Sequence, residues 1–454
     1  MPLPRHIAVI DIGKTNAKLV LIDSGTRQQL AVRSTPNTVL KDGLYPHADV
    51  ERLWAFILES LGAFRTEHGV DGISITTHGA TAALMAGDRL AMPVLDYEFA
   101  GPESLAADYA AARPEFSETL SPKLPNGLNL GAQIFWQARA FPAEFAAVTQ
   151  ILTYPQYWAW RLTGVSASEV TSLGCHTDLW APDRGDFSSL VSEQGWRDLF
   201  PAIKPAASVL GAITQAVAAA TGLAADTPVT CGIHDSNASL LPHLGGREAP
   251  FTILSTGTWA IAMTVGGDTS GLDPARDSLA NVDAFGRAVP TARFMGGREF
   301  DMLAPGAVTP SAADVARVVA DDVQALPSFM PGVGPFPKAQ GRWTVAPETL
   351  SAGERTAAVS LYLALMTQTC LGLCGLGRSV IIEGPLARNA LFAQALAALT
   401  GVPVFVSGDA TGTSLGASLL FGSEPGAAPP AEPVGALELA GFDDYAARWH
   451  GRIA

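Results

Sequence analysis

The chain has 454 residues, 48% of them hydrophobic and 16% charged, with a formal net charge of −14. That length is more than one ordinary hydrophobic core organises and predicts two domains, while the composition excludes long disordered stretches. No Lys/Arg-rich run offsets the acidity, which argues against nucleic acid as a partner; a bound nucleotide needs only a few local cations, a metal ion and backbone N–H groups.

Met1 to Arg5 carries no apolar signal region or cleavage site, so a cytoplasmic protein is expected. His6 to Ile10 and Lys18 to Ile22 are strand-like and flank Asp11-Ile12-Gly13-Lys14-Thr15-Asn16, which predicts a β-hairpin with a polar, glycine-containing connection. Val50 to Phe64 has helical spacing, Gly72 to Thr76 is a short strand, and Tyr157 to Leu162 is helical. Thr227 to Gly232 is a strand running into His234-Asp235. Phe251 to Leu254 and Trp259 to Val265 are strand-like around Ser255-Thr256-Gly257-Thr258. This second hairpin, about 245 residues after the first, suggests two structurally similar halves.

Farther along, Glu354 to Leu376 is a long helix, Ser379 to Glu383 a buried strand and Leu391 to Leu399 a helix. Val402 to Val406 is a strand, Ser414 to Leu420 a helix, and the Pro/Gly-rich stretches Leu326–Gly341 and Gly422–Gly435 are loops. Alternating strands and helices predict an α/β protein with sheets covered on both faces. Ser360 to Gly377 is apolar but interrupted by Thr367-Gln368-Thr369, which fits a buried helix better than a membrane span. The four cysteines are too scattered for a disulfide framework; Cys370 and Cys374 have i, i+4 spacing without a nearby His, Asp or Glu to complete a metal site, so packing is the expected role.

Three segments carry chemistry. Asp11 ends a buried strand before a tight glycine turn, placing an acid and several N–H donors at one edge, where they suit a metal and phosphate oxygens. Gly13-Lys14-Thr15 is not a Walker A loop, because position 8 is Ala8 where that motif needs glycine. Taken alone, the segment also fits an ordinary hairpin turn. Gly232-Ile-His234-Asp235-Ser-Asn places a second acid between a strand and a helix start, as a cap or as a catalytic group. Ser255-Thr256-Gly257-Thr258 offers hydroxyls and N–H groups for a second phosphate contact.

The order of these segments resembles the FGGY carbohydrate kinases, within the actin/hexokinase-type ATPase superfamily. Asp11-x-Gly13-x-Thr15-x-x-Lys18 is similar to the family's first phosphate motif, Gly232-x-His234-Asp235 to its catalytic-aspartate motif, and Ser255-Thr-Gly-Thr-Trp259 to its second phosphate motif. Glu383-Gly384-Pro385-Leu-Ala-Arg-Asn389 with Gln394 resembles the segment that closes on adenosine, and Arg161-Leu-Thr-Gly164 after Tyr157 resembles a recurring first-domain segment. The likeness spans residues 6 to 421.

The resemblance implies an α/β fold of two RNase H-like (actin/hexokinase-type) domains with an interdomain cleft. Residues 1–245 would bind mainly sugar and residues 246–454 mainly ATP. It implies ATP-dependent phosphorylation of a small sugar, a ketose of the fuculose, rhamnulose, xylulose or ribulose type. Glycerol or another polyol is the alternative, and a non-catalytic actin-like ATP-binding regulator a more remote one. Asp235 would be the base. Asp11, Gly13, Lys14, Thr15, Asn16, Lys18, Ser255, Thr256, Gly257, Thr258, Gly384, Pro385 and Asn389 would face ATP, with Mg²⁺ at Asp11 and Asp235; the role of Lys14 is inferred from its charge, since most members lack a lysine there. His78, Gly79, Asp96, Tyr97, Glu98, His234 and Asp235 would face the sugar.

The chain departs from the family pattern in three places. Thr76-Thr77 replaces a Gln-Met pair, Glu98 and Ala100 stand where many members have Asp and Arg, and Pro385 replaces a glycine. These departures leave the sugar open, and the sequence leaves open the oligomeric state, a homodimer included.

Overall fold

The structure is a computed structural model that describes residues 3–407, 412–422 and 428–453. They group into two compact units. One comprises Met1–Gly246, Asn281–Ala288 and Thr411–Ala428; the other comprises Arg247–Ala280, Val289–Ala410 and Pro429–Ala454.

The first unit is built on strands β1 (His6–Ile12), β2 (Asn16–Asp23), β3 (Gln28–Pro36), β4 (Gly72–Thr77), β5 (Val209–Ala212), β6 (Pro228–Thr230) and β7 (Ile233–His234). The sheet order is β5-β6-β4-β1-β2-β3, with β7 also pairing β4. β1 is buried at every position after His6, the pattern of a strand covered on both faces; β3, at the edge, alternates exposed with partly covered residues. β1 runs antiparallel to β2 and parallel to β4, a register that sets Asp11 beside Lys18 on one side and Thr76 on the other.

The strand expected over Thr227–Gly232 is split. β6 stops at Thr230, and β7 resumes at Ile233. Between them Gly232 has φ of +90°, a conformation that ends a strand and that glycine adopts without strain. Gln156 Nε2 donates to the carbonyls of Cys231 (3.0 Å) and Gly232 (3.2 Å), satisfying backbone acceptors that the sheet no longer pairs. The break re-aims the chain so that His234 pairs with Thr77 and Asp235 opens the helix Asp235–Leu240.

Two helices cover this sheet for clear local reasons. Val50–Glu67 buries Val50, Leu53, Ile57, Leu61 and Phe64, the three-and-four spacing of one helical face, and Asp49 caps it by accepting from Arg52 N. Tyr154–Thr163 starts with Pro155 in its first turn and stops at Gly164 in the left-handed region. A short helix from late in the chain, Thr413–Ser418, belongs to this unit as well. It lies so close to the helix Asp235–Leu240 that a Cβ on Gly416 would sit 1.7 Å from Ala238 O.

The second unit contains strands β8 (Phe251–Thr256), β9 (Ala260–Val265), β10 (Ser278–Val282), β11 (Ala288–Phe294), β12 (Val380–Glu383), β13 (Val404–Val406) and β14 (Glu432–Val434), in the order β10-β11-β9-β8-β12-β13-β14. β8 is antiparallel to β9 and parallel to β12, the arrangement of β1 with β2 and β4. The two halves therefore share the glycine hairpin expected from the sequence, and the structure adds a parallel strand beside the first strand of each.

The helix Ala352–Cys374 opens with a Ser351/Glu354 capping box and is buried along most of its length, at the centre of the second unit's core with the helix Ala390–Thr400. Of the stretches read as loops, Gly422–Gly435 contains the strand Glu432–Val434, which pairs with β13. Pro433 concealed it, since proline argues against a strand except at a sheet edge, which is where β14 lies. Residues 423–427 of the same stretch lie outside the described residues. Leu326–Gly341 is a loop after its first residue and joins the paired strands Ala325–Leu326 and Arg342–Trp343.

Candidate active site

Asp235 follows β7 directly, at the first position of its helix, with 31% of its side chain exposed. Its Oδ1 accepts from Ser236 N at 2.7 Å and lies 3.1 Å from His234 Nε2. Burial raises the carboxyl to about 6; the imidazole of His78 and the Ser236 N–H pull it down, and the charge of Asp11 pushes it up. A carboxylate that titrates just below neutrality, beside a second acid, is suited to accepting a proton.

His234 is buried against Gly79, where a Cβ would come within 2.8 Å of Nε2. Glycine at position 79 is thus the space that the imidazole fills. Burial holds His234 down to about 4. His78 sits at the end of β4, its backbone N–H bonded to Ile12 O (2.9 Å) and its Nδ1 to Gly79 O (2.9 Å). Its ring meets Tyr97 and Tyr154 at centroid distances of 5.3 and 5.2 Å, and burial lowers its basicity, opposed by the Gly79 carbonyl and Asp235.

Asp11 is buried at the end of β1. Its Oδ2 accepts from Thr413 Oγ1 and Ser414 Oγ, both at 2.7 Å, and pairs with Lys18 Nζ at 3.3 Å. The following turn is closed by Gly13 N donating to Asn16 O (2.9 Å), and Asn37 Nδ2 holds Gly13 O (2.9 Å). Thr15 and Asn16 are exposed at its tip. Lys14 turns toward the loop after Leu95: it pairs with Asp96 Oδ1 and Glu98 Oε2 (3.4 Å for Glu98) and lies 4.9 Å from the Tyr97 ring. Lys14, Asn37, His78, Asp96, Tyr97 and Tyr154 line a cavity of about 20 Å³, room for a water and too small for a sugar.

In the second unit Ser255 and Thr256 end β8, and Gly257 and Thr258 are exposed. Thr256 Oγ1 accepts from Leu386 N (3.1 Å) and donates to Glu383 O. Gly384 has φ of +81°, and a Cβ there would lie 1.9 Å from Thr256 O, so the turn after β12 rests directly on the backbone of β8. Asn389 caps the helix Ala390–Thr400 through Phe392 N (3.1 Å) and donates to Ser360 Oγ (2.9 Å). Pro385 borders two cavities. One, of about 600 Å³, includes Val308, Asn389, Gln394 and Leu437; the other, of about 360 Å³, includes Gly384, Arg388, Ser407 and Glu432. The larger falls in the range of small-molecule sites.

Within the first unit the structure thus gathers Asp11, Gly13, Lys14, Lys18, His78, Gly79, Asp96, Tyr97, Glu98, His234 and Asp235, and within the second Ser255, Thr256, Gly257, Thr258, Gly384, Pro385 and Asn389. Sequence reasoning missed Thr413 and Ser414, which hold Asp11 from 402 and 403 residues away. Their one signal was the small-residue helix start Thr413-Ser414-Leu-Gly416, similar in make-up to Asp235-Ser-Asn-Ala. It also missed Asn237, Thr171 and Glu169. Thr171 Oγ1 accepts from His234 N (3.0 Å) and donates to buried Glu169 (2.6 Å), whose carboxyl burial raises to about 7.

No group of three or more His, Cys, Asp or Glu is placed to cage a metal among the described residues. Asp11 and Asp235 nonetheless fit Mg²⁺, which prefers oxygen donors, keeps several waters and binds through one or two carboxylates plus phosphate oxygens. Among the described residues Asp11 has its hydroxyl donors on Oδ2, which leaves Oδ1 for a metal-bound water.

Residues 119–242 match the family described as FGGY family of carbohydrate kinases, N-terminal domain, and residues 248–430 match Carbohydrate kinase FGGY, C-terminal domain. Among solved structures, a carbohydrate kinase from Novosphingobium aromaticivorans is 38% identical, with 98% of this chain and 100% of that chain covered at a TM-score of 0.90. The L-xylulose/3-keto-L-gulonate kinase of Escherichia coli (strain K12) is 28% identical over 54% of this chain and 50% of its own length. The L-fuculokinase of Salmonella typhi is 27% identical over 61% of each. The matched region thus spans half to three fifths of these two curated relatives.

Proposed function

Since the chain belongs to the FGGY family of carbohydrate kinases, with that family's α/β, actin/hexokinase-type fold, we propose that it transfers the γ-phosphoryl group of ATP to a hydroxyl of a small ketose, with Asp235 as the base. The observation that carries this reading is the Asp235 carboxyl itself: partly exposed, held up to about 6, and beside the acid-bearing hairpin of Asp11. The names of the relatives, L-xylulose/3-keto-L-gulonate kinase and L-fuculokinase, support a ketose.

Phosphoryl transfer asks chiefly for alignment and charge stabilisation. Asp235 orients the accepting hydroxyl and takes its proton as the oxygen bonds to phosphorus. The Lys18 ammonium and the N–H groups of Lys14 and Thr15 would offset phosphate charge, as would the N–H and hydroxyl of Thr258, whereas the Gly13 and Gly257 N–H groups are bonded within their own turns. Adenosine would occupy the cavity beside Pro385 and Asn389, and residues 78–98 would contact the sugar. Mg²⁺, when bound with ATP, supplies charge neutralisation at the phosphates, and Asp11 and Asp235 would hold it. A positioned base contributes about 10²–10⁴-fold, equivalent to roughly 3–5 kcal/mol of barrier.

A coupled assay with ATP over ketopentoses, 6-deoxy-ketohexoses and glycerol tests the reading, and Asp235→Asn tests the base. The variant should bind ATP as the wild type does and lose about 10²-fold or more in turnover. Retention of more than about a tenth of the activity would remove Asp235 from the role. Sugar-independent ATP hydrolysis at the full rate would contradict a site that excludes water.

A further inference from the structure

The assignment of Asp235 as base, on which this inference rests, leaves open which of its oxygens works. Among the described residues, every donor that reaches the carboxylate goes to Oδ1: Ser236 N at 2.7 Å, Ser236 Oγ at 3.4 Å and His234 Nε2 at 3.1 Å. Oδ2 accepts from none of the described residues.

The imidazole that supplies the third contact is held on several sides. Its ring edge fills the space beside Gly79, and a Cβ there would also come within 3.7 Å of Cys175 Sγ. Its backbone N–H is bonded to Thr171 Oγ1, itself bonded to Glu169. Asn237 Nδ2 lies 3.3 Å from the remaining ring nitrogen, Nδ1. Whichever amide atom Asn237 presents to Nδ1, Nε2 must carry a proton to bond Oδ1. With the Asn237 amide donating, Nδ1 is the acceptor and the ring proton sits on Nε2, aimed at Oδ1. The other tautomer would point an Nε2 lone pair at a carboxylate oxygen.

We propose that His234 and Asn237 are positioning residues that decide which oxygen of Asp235 is the base: the Nε2–H of His234 occupies Oδ1, and Oδ2 keeps its lone pairs for the substrate. In the transfer step the substrate O–H bond breaks, its proton goes to Oδ2, and its oxygen bonds to the γ-phosphorus. The electron pair of the broken P–O bond leaves with ADP. His234 neither gains nor loses a proton in this step. The other titratable groups around the pair are His78 from the end of β4, Asp11 from β1, Glu169 behind Thr171 and Cys175 beside Gly79.

Two measurements test this. Long-range ¹⁵N–¹H NMR of the full chain labelled at histidine, with His234 assigned by its loss in His234→Gln, should show a proton on Nε2 from about pH 6 to about pH 8. A ring protonated on Nδ1 alone in that range overturns the proposal. In kinetics, His234→Ala should lower kcat by about 10–100-fold with KM nearly unchanged. It should also move the acid limb of kcat/KM to higher pH, because the carboxylate has lost a donor that favours its ionised form. His234→Gln, whose amide can still donate, should recover part of both effects. Equal losses in the two variants with an unmoved acid limb overturn the proposal even where the NMR agrees. A wild type inactive on every sugar overturns the base assignment and this role with it. An active wild type with the wrong tautomer overturns this role alone.

Discussion

The two glycine hairpins follow the same plan, each with its own two strands antiparallel and its first strand parallel to a third, and are fixed by different forces. The first is held by side chains: Thr413, Ser414 and Lys18 on Asp11, Asn37 on Gly13 O, and Asp96 with Glu98 on Lys14. The second has no charged residue in Ser255–Thr258 and is held by the Thr256 hydroxyl, which bonds Leu386 N and Glu383 O, and by close backbone contact. A Cβ at Gly384 would lie 1.9 Å from Thr256 O, and one at Gly297 would lie 1.9 Å from Gly257 O. Charge and hydrogen bonding can be retuned by pH and by isosteric change, whereas backbone contact admits a side chain or does not. The charged hairpin is the one beside Asp235, where its acid can act on the reacting group. The uncharged hairpin exposes Gly257 and Thr258 on a firm support.

The largest effect that would sharpen this contrast is expected from Gly384→Ala. The methyl would collide with the Thr256 carbonyl, and the residue would have to keep φ of +81°. Overpacking and a left-handed alanine together should cost about 3 kcal/mol, seen as a lower unfolding midpoint and weakened ATP binding. A thermal midpoint equal to wild type would mean that the turn is not seated on β8 by backbone contact.

Asp11→Asn should act on the other hairpin in the opposite manner, with little change in stability and a large change in rate. The amide oxygen can still accept from Thr413 and Ser414. The lost pair with Lys18, whose side chain is 44% exposed, is worth at most about 1 kcal/mol. Turnover should nevertheless fall by about 10–100-fold with the loss of a metal-holding charge, and the Mg²⁺ concentration needed for half-maximal rate should rise. An unchanged Mg²⁺ requirement would take Asp11 out of that role.

Much of the fold was legible because long buried strands and the helices Val50–Glu67 and Ala352–Cys374 carry their period in the sequence. The hairpin acid, the strand-end Asp235 and the Ser255–Thr258 turn were legible as well, since each pairs a special residue with a turn. What escaped was set by tertiary contact. Nothing local in Thr413-Ser414 says that both hydroxyls meet a carboxylate at the far end of the chain. The break at Gly232 depends on a glutamine from another helix that takes up the freed carbonyls. Lys14 was expected at phosphate from its charge and position, and it lies against Asp96 and Glu98, two acids its own segment does not contain.

The pH profile gives a smaller and more selective readout of the charged hairpin. Asp235 works ionised and its carboxyl is held up to about 6, so kcat/KM should rise with pH through that value and fall roughly tenfold per unit below it. The Asp11 charge is one of the causes that raise it. Asp11→Asn should therefore shift the acid limb to lower pH, as removing a negative neighbour eases ionisation. A limb that stays in place would mean that the two carboxylates do not sense each other.

The smallest effect, and the one that most directly tests the contrast, belongs to Gly13→Ala. Gly13 lies outside the positive-φ set, and a Cβ there would sit 3.2 Å from Asn16 O, a tight contact that a shift of a few tenths of an ångström relieves. Alanine also narrows the unfolded ensemble, which stabilises by about 0.4–1 kcal/mol where the backbone angle is compatible. The two contributions oppose each other, so the unfolding free energy should change by less than about 1 kcal/mol in either direction. Because the first hairpin is fixed through Asp11, Asn37 and Lys14 rather than through an empty Cβ position, a methyl group on its turn leaves those contacts in place. Should Gly13→Ala cost as much as Gly384→Ala, measured side by side in the same denaturant series, the two hairpins would be held alike and the division between charge and backbone contact would fall.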